Sequence, residues 1–161
     1  MGIGKFTTKV GLSPLISVFL LGAALAECKS DSINLRGDWG QARFTVEVAD
    51  TEQEHSVGLM GRTSLPMSSG MLFTYEHPRS VSFWMANTYI PLDMLFADET
   101  GVVRNINHDA APLNRAPFFG GEDIKYVLEI NGGLARKLGI DVGTEMQHLA
   151  INTEVAIWPC E

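Results

Sequence analysis

Apolar and polar residues alternate along most of the chain beyond residue 42, and this two-residue period constrains the fold more than any other feature. In segment 43–49, Phe44, Val46 and Val48 alternate with polar residues. Because successive side chains of a strand point to opposite faces, the pattern predicts a strand with one buried face. Similar alternation, or a short apolar run bounded by turn residues, recurs in segments 71–75, 81–85, 92–97, 102–107 and 124–130.

Only two stretches favour helices, and both are short. Thr51 and Glu54 have the spacing of a capping box, which predicts a helix that begins there and ends near Gly58 or Gly61. A second short helix is expected over 134–138.

The glycine, proline and alanine content of segment 108–121 predicts a long loop, and the tail over 142–158 holds one or two more strands. With about eight strands and no long helices between them, the sequence predicts a mainly β (α+β) fold. We expect a compact antiparallel β-barrel or sandwich with two short helices.

The first 26 residues have the features of a secretory signal peptide rather than of a folded domain. Lys5 and Lys9 precede an apolar stretch over 10–26, which ends in small residues at Ala24 and Ala26. A membrane anchor is the rival interpretation, but the stretch is short for a spanning helix and contains a proline. A lipid anchor on Cys28 is disfavoured by the glutamate before it. We therefore predict cleavage after Ala26.

Cleavage would leave one β-rich domain over residues 27–161, outside the cytoplasm in the periplasm or the extracellular space. Removing the signal takes away two lysines and no acidic residue, so the formal net charge would change from −7 to −9. An acidic surface repels nucleic acids and anionic lipids. We expect neither as a partner, and we expect no membrane span in the mature chain.

The two cysteines, Cys28 and Cys160, lie at opposite ends of the predicted mature chain. Export would place them in an oxidising compartment, where a disulfide is the simplest expectation. The chain-entropy model gives about 5 kcal/mol, as an upper figure, for closing a loop of that length. The spacing excludes a CxxC redox motif.

The richest mixture of aromatic and polar residues lies between Phe83 and Asp93. If Phe83 and Met85 face the core, alternation directs Trp84 towards solvent or a cleft. Trp84 could then provide a stacking surface, with Asn87 and Asp93 as polar groups of a ligand pocket. In the competing structural interpretation, Asn87 serves a turn, and Asp93 caps a loop or pairs with an arginine.

Two other charged residues complete the candidate ligand-binding set. Arg62 follows a glycine-rich turn and could clamp a carboxylate ligand, or it could neutralise Asp93 or Glu129. Glu129 lies between two apolar residues of a predicted strand, and a solvated strand face is the default expectation for it. An alternative function is a hydrolase or lyase that uses Asp93 and Glu129 together with Arg62.

A second alternative is a periplasmic Cu(I)-binding protein. Thioethers and imidazoles bind this soft ion, but the histidines are scattered and no M-x-M motif occurs, so core packing is the preferred role of the methionines. The sequence thus predicts no metal site, no cofactor and no assigned catalytic residue. The copper hypothesis uses Met60, Met71, Met85 and Met94 with His77 or His108.

Several motifs together resemble a known family. They are the segments GLMGR at 58–62, GMLF at 70–73, FWMANTYIPLDM at 83–94 and YVLEINGG at 126–133. In order and spacing they are similar to the bacterial and archaeal family called domain of unknown function 192, over about residues 44–146. The resemblance implies a compact β-barrel-like domain, often exported, with no established reaction. It assigns no catalytic residue.

The sequence therefore favours an exported, non-enzymatic module that binds a small molecule or an envelope protein. Whether Arg62, Trp84, Asn87, Asp93 and Glu129 line one cleft is the geometric question that this hypothesis raises.

Overall fold

The computed structural model describes residues 1–2 and 28–160, and residues 28–160 form one curled sheet with two short helices. The elements, in chain order, are β1 (Ser32–Gly37), β2 (Gly40–Ala49), α1 (Glu52–Val57), β3 (Ser69–Phe83), β4 (Leu92–Ala97), β5 (Val103–Ala110), β6 (Phe118–Asn131), α2 (Leu134–Leu138) and β7 (Glu145–Gln147).

The seven strands of the described region are ordered β5-β4-β6-β3-β2-β1-β7 across the sheet. All neighbouring pairs are antiparallel except β2 and β3, which are parallel and joined through α1. The two edges approach each other at one end, where the Val103 N–H donates to the Thr144 carbonyl at 2.9 Å. The sheet is thus a curled half-barrel, and the predicted mainly β class is confirmed.

The strand boundaries differ from the predicted ones at three places. Two predicted strands, 71–75 and 81–85, are one bulged strand, β3, because β6 pairs with both halves across register shifts near Arg79. The predicted loop over 108–121 shortens to residues 111–117, since β5 and β6 extend further. Strand β1 was not predicted; its apolar residues are fully buried against the partner strands β2 and β7.

Both faces of the central strands are buried, and each carries its own apolar cluster. The first cluster receives residues from all seven strands and from α2, and includes Leu95, Leu128 and Ile130. The second cluster lies on the opposite face of β3, β4 and β6, where the segments after α1 and after β3 cover it. Because a β-strand directs alternate residues to opposite faces, polar residues of β4 and β6 can be buried on either side.

The ends of the described region meet at the cysteine pair. Cys28 and Cys160 lie at disulfide distance, with Cα atoms 5.8 Å apart, as predicted. Residues 3–26 of the predicted signal peptide lie outside the described residues. No helix in the described part of the chain is long and apolar enough to cross a membrane.

Candidate functional site

Glu129 is a buried carboxyl group in the middle of the second face. It lies on β6 between two residues of the first cluster, so its side chain points the opposite way, and its direct neighbours across the sheet are Met71 and Met94. Only 4% of the residue is exposed. The solvated position expected from the sequence is therefore wrong, because the segments that follow α1 and β3 cover this face.

No side chain or backbone group of residues 28–160 donates a hydrogen bond to the Glu129 carboxyl group, and none forms an ion pair with it. Burial alone raises the pKa of Glu129 to about 8. Removal from water penalises the charged form of a carboxyl group, and here nothing offsets that penalty. The protonated form of Glu129 is therefore favoured at neutral pH.

A cavity of about 110 Å³ opens beside Glu129. Its walls combine four aromatic side chains with residues of α1 and of the turn that follows. The residues lining it are His55, Ser56, Val57, Gly58, Leu59, Met60, Phe73, Tyr75, Ser82, Phe83, Trp84, Thr88 and Glu129. Most of these belong to α1 and β3, two elements that the sequence predicted without indicating that they face each other.

Helix α1 positions one wall of this pocket. Thr51 and Glu54 form the predicted capping box, which fixes the first turn. The helix ends at Gly58, whose φ of 47° is in the left-handed region, and a Cβ there would lie 3.1 Å from the Phe73 ring. Glycine therefore both ends the helix and leaves space for the aromatic ring behind the pocket.

The ring of His55, a residue of α1, is fixed against the sheet by hydrogen bonds from its Nε2 atom. Its Nε2 lies 3.0 Å from the Ala49 carbonyl oxygen and 3.1 Å from that of Thr74. Since both partners are acceptors, Nε2 carries a hydrogen and donates. The ring then packs on Tyr75, with centroids 4.7 Å apart. His55 thus contributes a fixed wall rather than a free base at Nε2.

Tyr75 contributes a phenol to the same wall. Burial raises its pKa to about 12, while Arg79, 5.4 Å from the ring centroid, acts in the opposite direction. The nearby Glu129 adds to the rise. Tyr75 therefore keeps its hydroxyl proton throughout the physiological range. Neither Tyr75 nor His55 was a candidate from the sequence; the alternation of β3 was the only signal that pointed to Tyr75.

Trp84 lies at the open side of the pocket. It is 57% exposed, whereas Met85 is buried and Phe83 packs against the second cluster. The outward orientation of Trp84 agrees with the predicted alternation. Asn87 lies nearby in a turn with a φ of 55°, and its carbonyl accepts from the Gly61 N–H at 2.8 Å. The main chain of Asn87 thus joins this turn to the one after α1, and Asn87 is not among the residues that line the cavity.

Arg62 lies outside this pocket, in a neighbouring groove. It forms a bidentate salt bridge with Glu47, in which Nη1 lies 2.5 Å from Oε1 and Nη2 lies 2.6 Å from Oε2. That hydrogen bonding raises the pKa of Arg62 and lowers that of Glu47. The expected neutralisation of Asp93 or Glu129 by Arg62 is wrong, because the guanidinium is already paired with Glu47.

Asp93 lies on the opposite face of the sheet from Glu129. It is fully buried, and its carboxylate accepts from the backbone N–H groups of Asp109, Gly133 and Ala135 at 2.7, 2.9 and 2.7 Å. Asp93 thus caps the start of α2 from a distant strand. Asp93 and Glu129 do not share a cleft, so the acid–base pair considered from the sequence has no geometric basis.

The methionines of the copper hypothesis are mostly core residues. Met71, Met85 and Met94 are buried in the second cluster. His77 is exposed beside Glu76 in the middle of β3. In the part of the chain that the structure describes, no cluster of three or more His, Cys, Asp or Glu residues could hold a metal ion.

A family model described as "uncharacterized ACR" and named DUF192 matches residues 33–148. The chain belongs to the DUF192 family. This confirms the resemblance found in the sequence, and the family description names no reaction.

Two solved structures are similar to this DUF192 chain. One is a protein of unknown function from Novosphingobium aromaticivorans, 40% identical, with a TM-score of 0.70; the match covers 71% of this chain and 82% of that one. The other is a candidate transcription regulator from Sinorhizobium meliloti, 34% identical, with a TM-score of 0.73. The match covers 78% of this chain and 98% of that one. No curated protein matches the chain.

Proposed function

We propose that this DUF192 protein is an exported module that binds a small ligand in the pocket between α1 and β3, with Glu129 as its central polar group. The observation that carries the proposal is the unpartnered carboxyl group on the pocket wall. Buried polar groups in folded proteins nearly always have hydrogen-bond partners. A group that lacks one inside a cavity is suited to a partner that arrives from outside.

The composition of the walls supports binding rather than catalysis. His55 is tied to two carbonyl oxygens, Tyr75 retains its proton, and Asp93 lies on the other face. Among the described lining residues there is thus no second carboxyl group to work with Glu129 as an acid–base pair. The aromatic rings instead offer a rigid apolar surface around one polar group, the usual composition of a small-molecule pocket.

Ligand screening tests this proposal. Thermal shift and NMR titration would compare wild type with Glu129→Gln and Trp84→Ala, using sugars, amino acids, amines, amides and metal ions. Glu122→Gln and Tyr89→Ala are matched controls, because Glu122 is exposed on the same strand and Tyr89 is 54% exposed outside the pocket. We expect at least one compound to bind wild type and both controls alike, to bind Trp84→Ala more weakly, and not to bind Glu129→Gln. Binding by none, or equal binding by all, would refute the proposal.

Export is supported by the signal-like N-terminus and by the cysteine pair at disulfide distance. Expression of the full chain in a bacterium, followed by fractionation and intact-mass analysis, tests it. We expect a periplasmic species that begins at Glu27 and is 2 Da lighter than its reduced form. A full-length cytoplasmic chain would contradict export.

The description of the Sinorhizobium meliloti relative raises DNA as another partner. The formal net charge of −7 does not favour it, because nonspecific DNA binding depends on basic groups that neutralise phosphates. An electrophoretic mobility assay at low salt would decide, and we expect no shifted band.

A further inference from the structure

The pocket at Glu129 has the polarity of a cation site. Its lining contains one acidic residue and neither lysine nor arginine. Two guanidinium groups on neighbouring segments have other partners: Arg62 pairs with Glu47, and Arg79 lies over the Tyr75 ring. A carboxylate ligand would therefore meet neither lysine nor arginine in the pocket, whereas a positively charged ligand would meet an acidic group without a competing partner.

The aromatic walls favour the same charge. Four aromatic side chains line the cavity: Phe73, Tyr75, Phe83 and Trp84. The rings of Phe73 and Phe83 pack edge to face, with their centroids 5.1 Å apart. Aromatic faces carry partial negative charge and attract ammonium groups, more strongly where water is excluded. The Met60 thioether on the rim adds a polarisable neighbour without a positive charge.

The size of the cavity limits what can enter. Its volume of about 110 Å³ is below the roughly 150 Å³ of an engineered protein cavity that holds benzene. A head group of a few heavy atoms fits, and the exposed Trp84 at the opening can cover the chain that follows.

We infer that the pocket binds the ammonium head of a short aliphatic amine, with Glu129 as the counter-ion and the aromatic rings around its carbon chain. This inference rests on the proposed function and names its ligand class. On binding, the Glu129 O–H bond breaks, its proton passes to solvent, and the ligand remains an ammonium ion paired with the carboxylate. One proton is therefore released for each cation bound whenever Glu129 begins protonated.

The pH dependence distinguishes this ligand class from a neutral one. His55 from α1 and Tyr75 from β3 line the cavity with Glu129, and on β2 the Glu47–Arg62 pair lies in register beyond Met71. The direct strand neighbours of Glu129, Met71 and Met94, do not titrate. Burial raises the pKa of Glu129 to about 8. Ammonium affinity should therefore rise roughly tenfold per pH unit below pH 8 and level off above it. A neutral ligand that accepts a hydrogen bond from protonated Glu129 should instead weaken above pH 8.

The experiment titrates propylammonium chloride, 1-propanol and propanamide into wild type, Glu129→Gln and Glu122→Gln between pH 6 and 9. NMR would follow the Met60 methyl and Trp84 indole signals, with ammonium chloride at equal ionic strength as a blank. Calorimetry in buffers of different ionisation enthalpy would count the protons released. We expect propylammonium to bind wild type and Glu122→Gln at least tenfold more tightly than either neutral compound at pH 8. Glu129→Gln should lose that preference, and near pH 6.5 one proton should be released per ligand.

The outcomes of this experiment distinguish failure of the inference from failure of the proposed function. If propanamide or propanol saturates the pocket signals and propylammonium does not, the inference is overturned while the binding module stands. If none of these compounds, and none of the screened library, moves the pocket signals, both fail. A propylammonium affinity that is independent of pH across 6–8 also overturns the inference.

Discussion

Asp93 and Glu129 are two buried carboxyl groups on neighbouring strands, and they differ in almost everything except burial. Asp93 faces the first cluster and accepts three backbone hydrogen bonds; Glu129 faces the second cluster and accepts none from the described residues. Asp93 is used by the fold, since it joins the start of α2 to β4. Glu129 weakens the fold at neutral pH and borders a cavity.

The difference shows why burial alone does not identify a functional acid. Each charged or polar group removed from water needs compensation, and Asp93 obtains it within the chain. Glu129 obtains none from the described chain, so compensation must come from its own proton, from water in the cavity or from a ligand. Substitutions of the two acids distinguish these cases, and the loss of Asp93 should cost the most stability.

Replacing Asp93 should cause the largest loss of stability. Asp93→Ala leaves three backbone N–H groups without acceptors, at about 1–3 kcal/mol each, so we expect the free energy of unfolding to fall by about 5 kcal/mol. Asp93→Asn keeps an oxygen at the Oδ1 position, which serves Asp109 and Gly133, and loses only the Ala135 contact. Urea denaturation would measure both variants, and we expect Asn to cost less than half as much as Ala.

A smaller loss than about 1 kcal/mol for Asp93→Ala would mean that the three contacts contribute little. The contrast with Glu129 would then disappear.

Glu129 should make the protein less stable as pH rises. Its pKa is raised from 4.5 in the unfolded chain to about 8 in the folded one. Between these two pH values the folded state binds more protons than the unfolded state. The free energy of unfolding is therefore highest below pH 4.5, falls as pH rises and levels off above pH 8. At about 1.4 kcal/mol per pKa unit, the loss between pH 5 and 9 is on the order of 4 kcal/mol.

Subtracting the same curve for Glu129→Gln isolates this effect from other titrating groups, such as the buried His148, whose pKa is lowered chiefly by burial. We expect the difference in unfolding free energy between the two proteins to change across pH 5–9, measured by urea denaturation. Glu122→Gln should show the pH dependence of wild type. Parallel curves for wild type and Glu129→Gln would show that Glu129 has a partner after all.

These two acids also show how far the sequence could lead. An apolar run correctly predicted the strand of Asp93, and alternation correctly predicted the strand of Glu129 and directed Trp84 outward. It assumed, however, that a strand has one buried and one solvated face. Strand β6 is buried on both faces, because the segments after α1 and after β3 pack on the second one. No local pattern around Glu129 encodes that long-range cover.

The pocket partners were missed for a related reason. His55 is a polar residue in a short helix, and Tyr75 ends a predicted strand, so each has an ordinary local explanation. Their approach depends on the parallel pairing of β2 with β3, which turns α1 back onto the sheet. The parallel pairing joins segments that are twenty or more residues apart in the chain. An antiparallel fold predicted from the sequence does not include such a pair.

Trp84 should affect binding without affecting the fold. Because its side chain is 57% exposed, Trp84→Ala should change the free energy of unfolding by less than about 1 kcal/mol. If a ligand occupies the Glu129 pocket, the same change should weaken its binding about fivefold, since an aromatic face near a cation contributes about 1 kcal/mol at an exposed site. Tyr89→Ala provides the matched control for both measurements. Equal affinities of Trp84→Ala and Tyr89→Ala would place the ligand elsewhere.

Arg62 should have the smallest effect, although it is the candidate that the sequence most clearly associated with a charged ligand. Its pair with Glu47 lies at the surface, where the Glu47 side chain is 59% exposed. Exposed pairs contribute about 0–1 kcal/mol, so Arg62→Ala should lower stability by no more than that, and less at high salt. The carboxylate of Glu47 already occupies the guanidinium fork, so Arg62→Ala should leave ligand affinity at Glu129 unchanged within twofold. A larger loss of affinity would show that the ligand also contacts the Arg62 groove. Glu129 would then be one part of a longer site, and not the single polar group that binds the ligand.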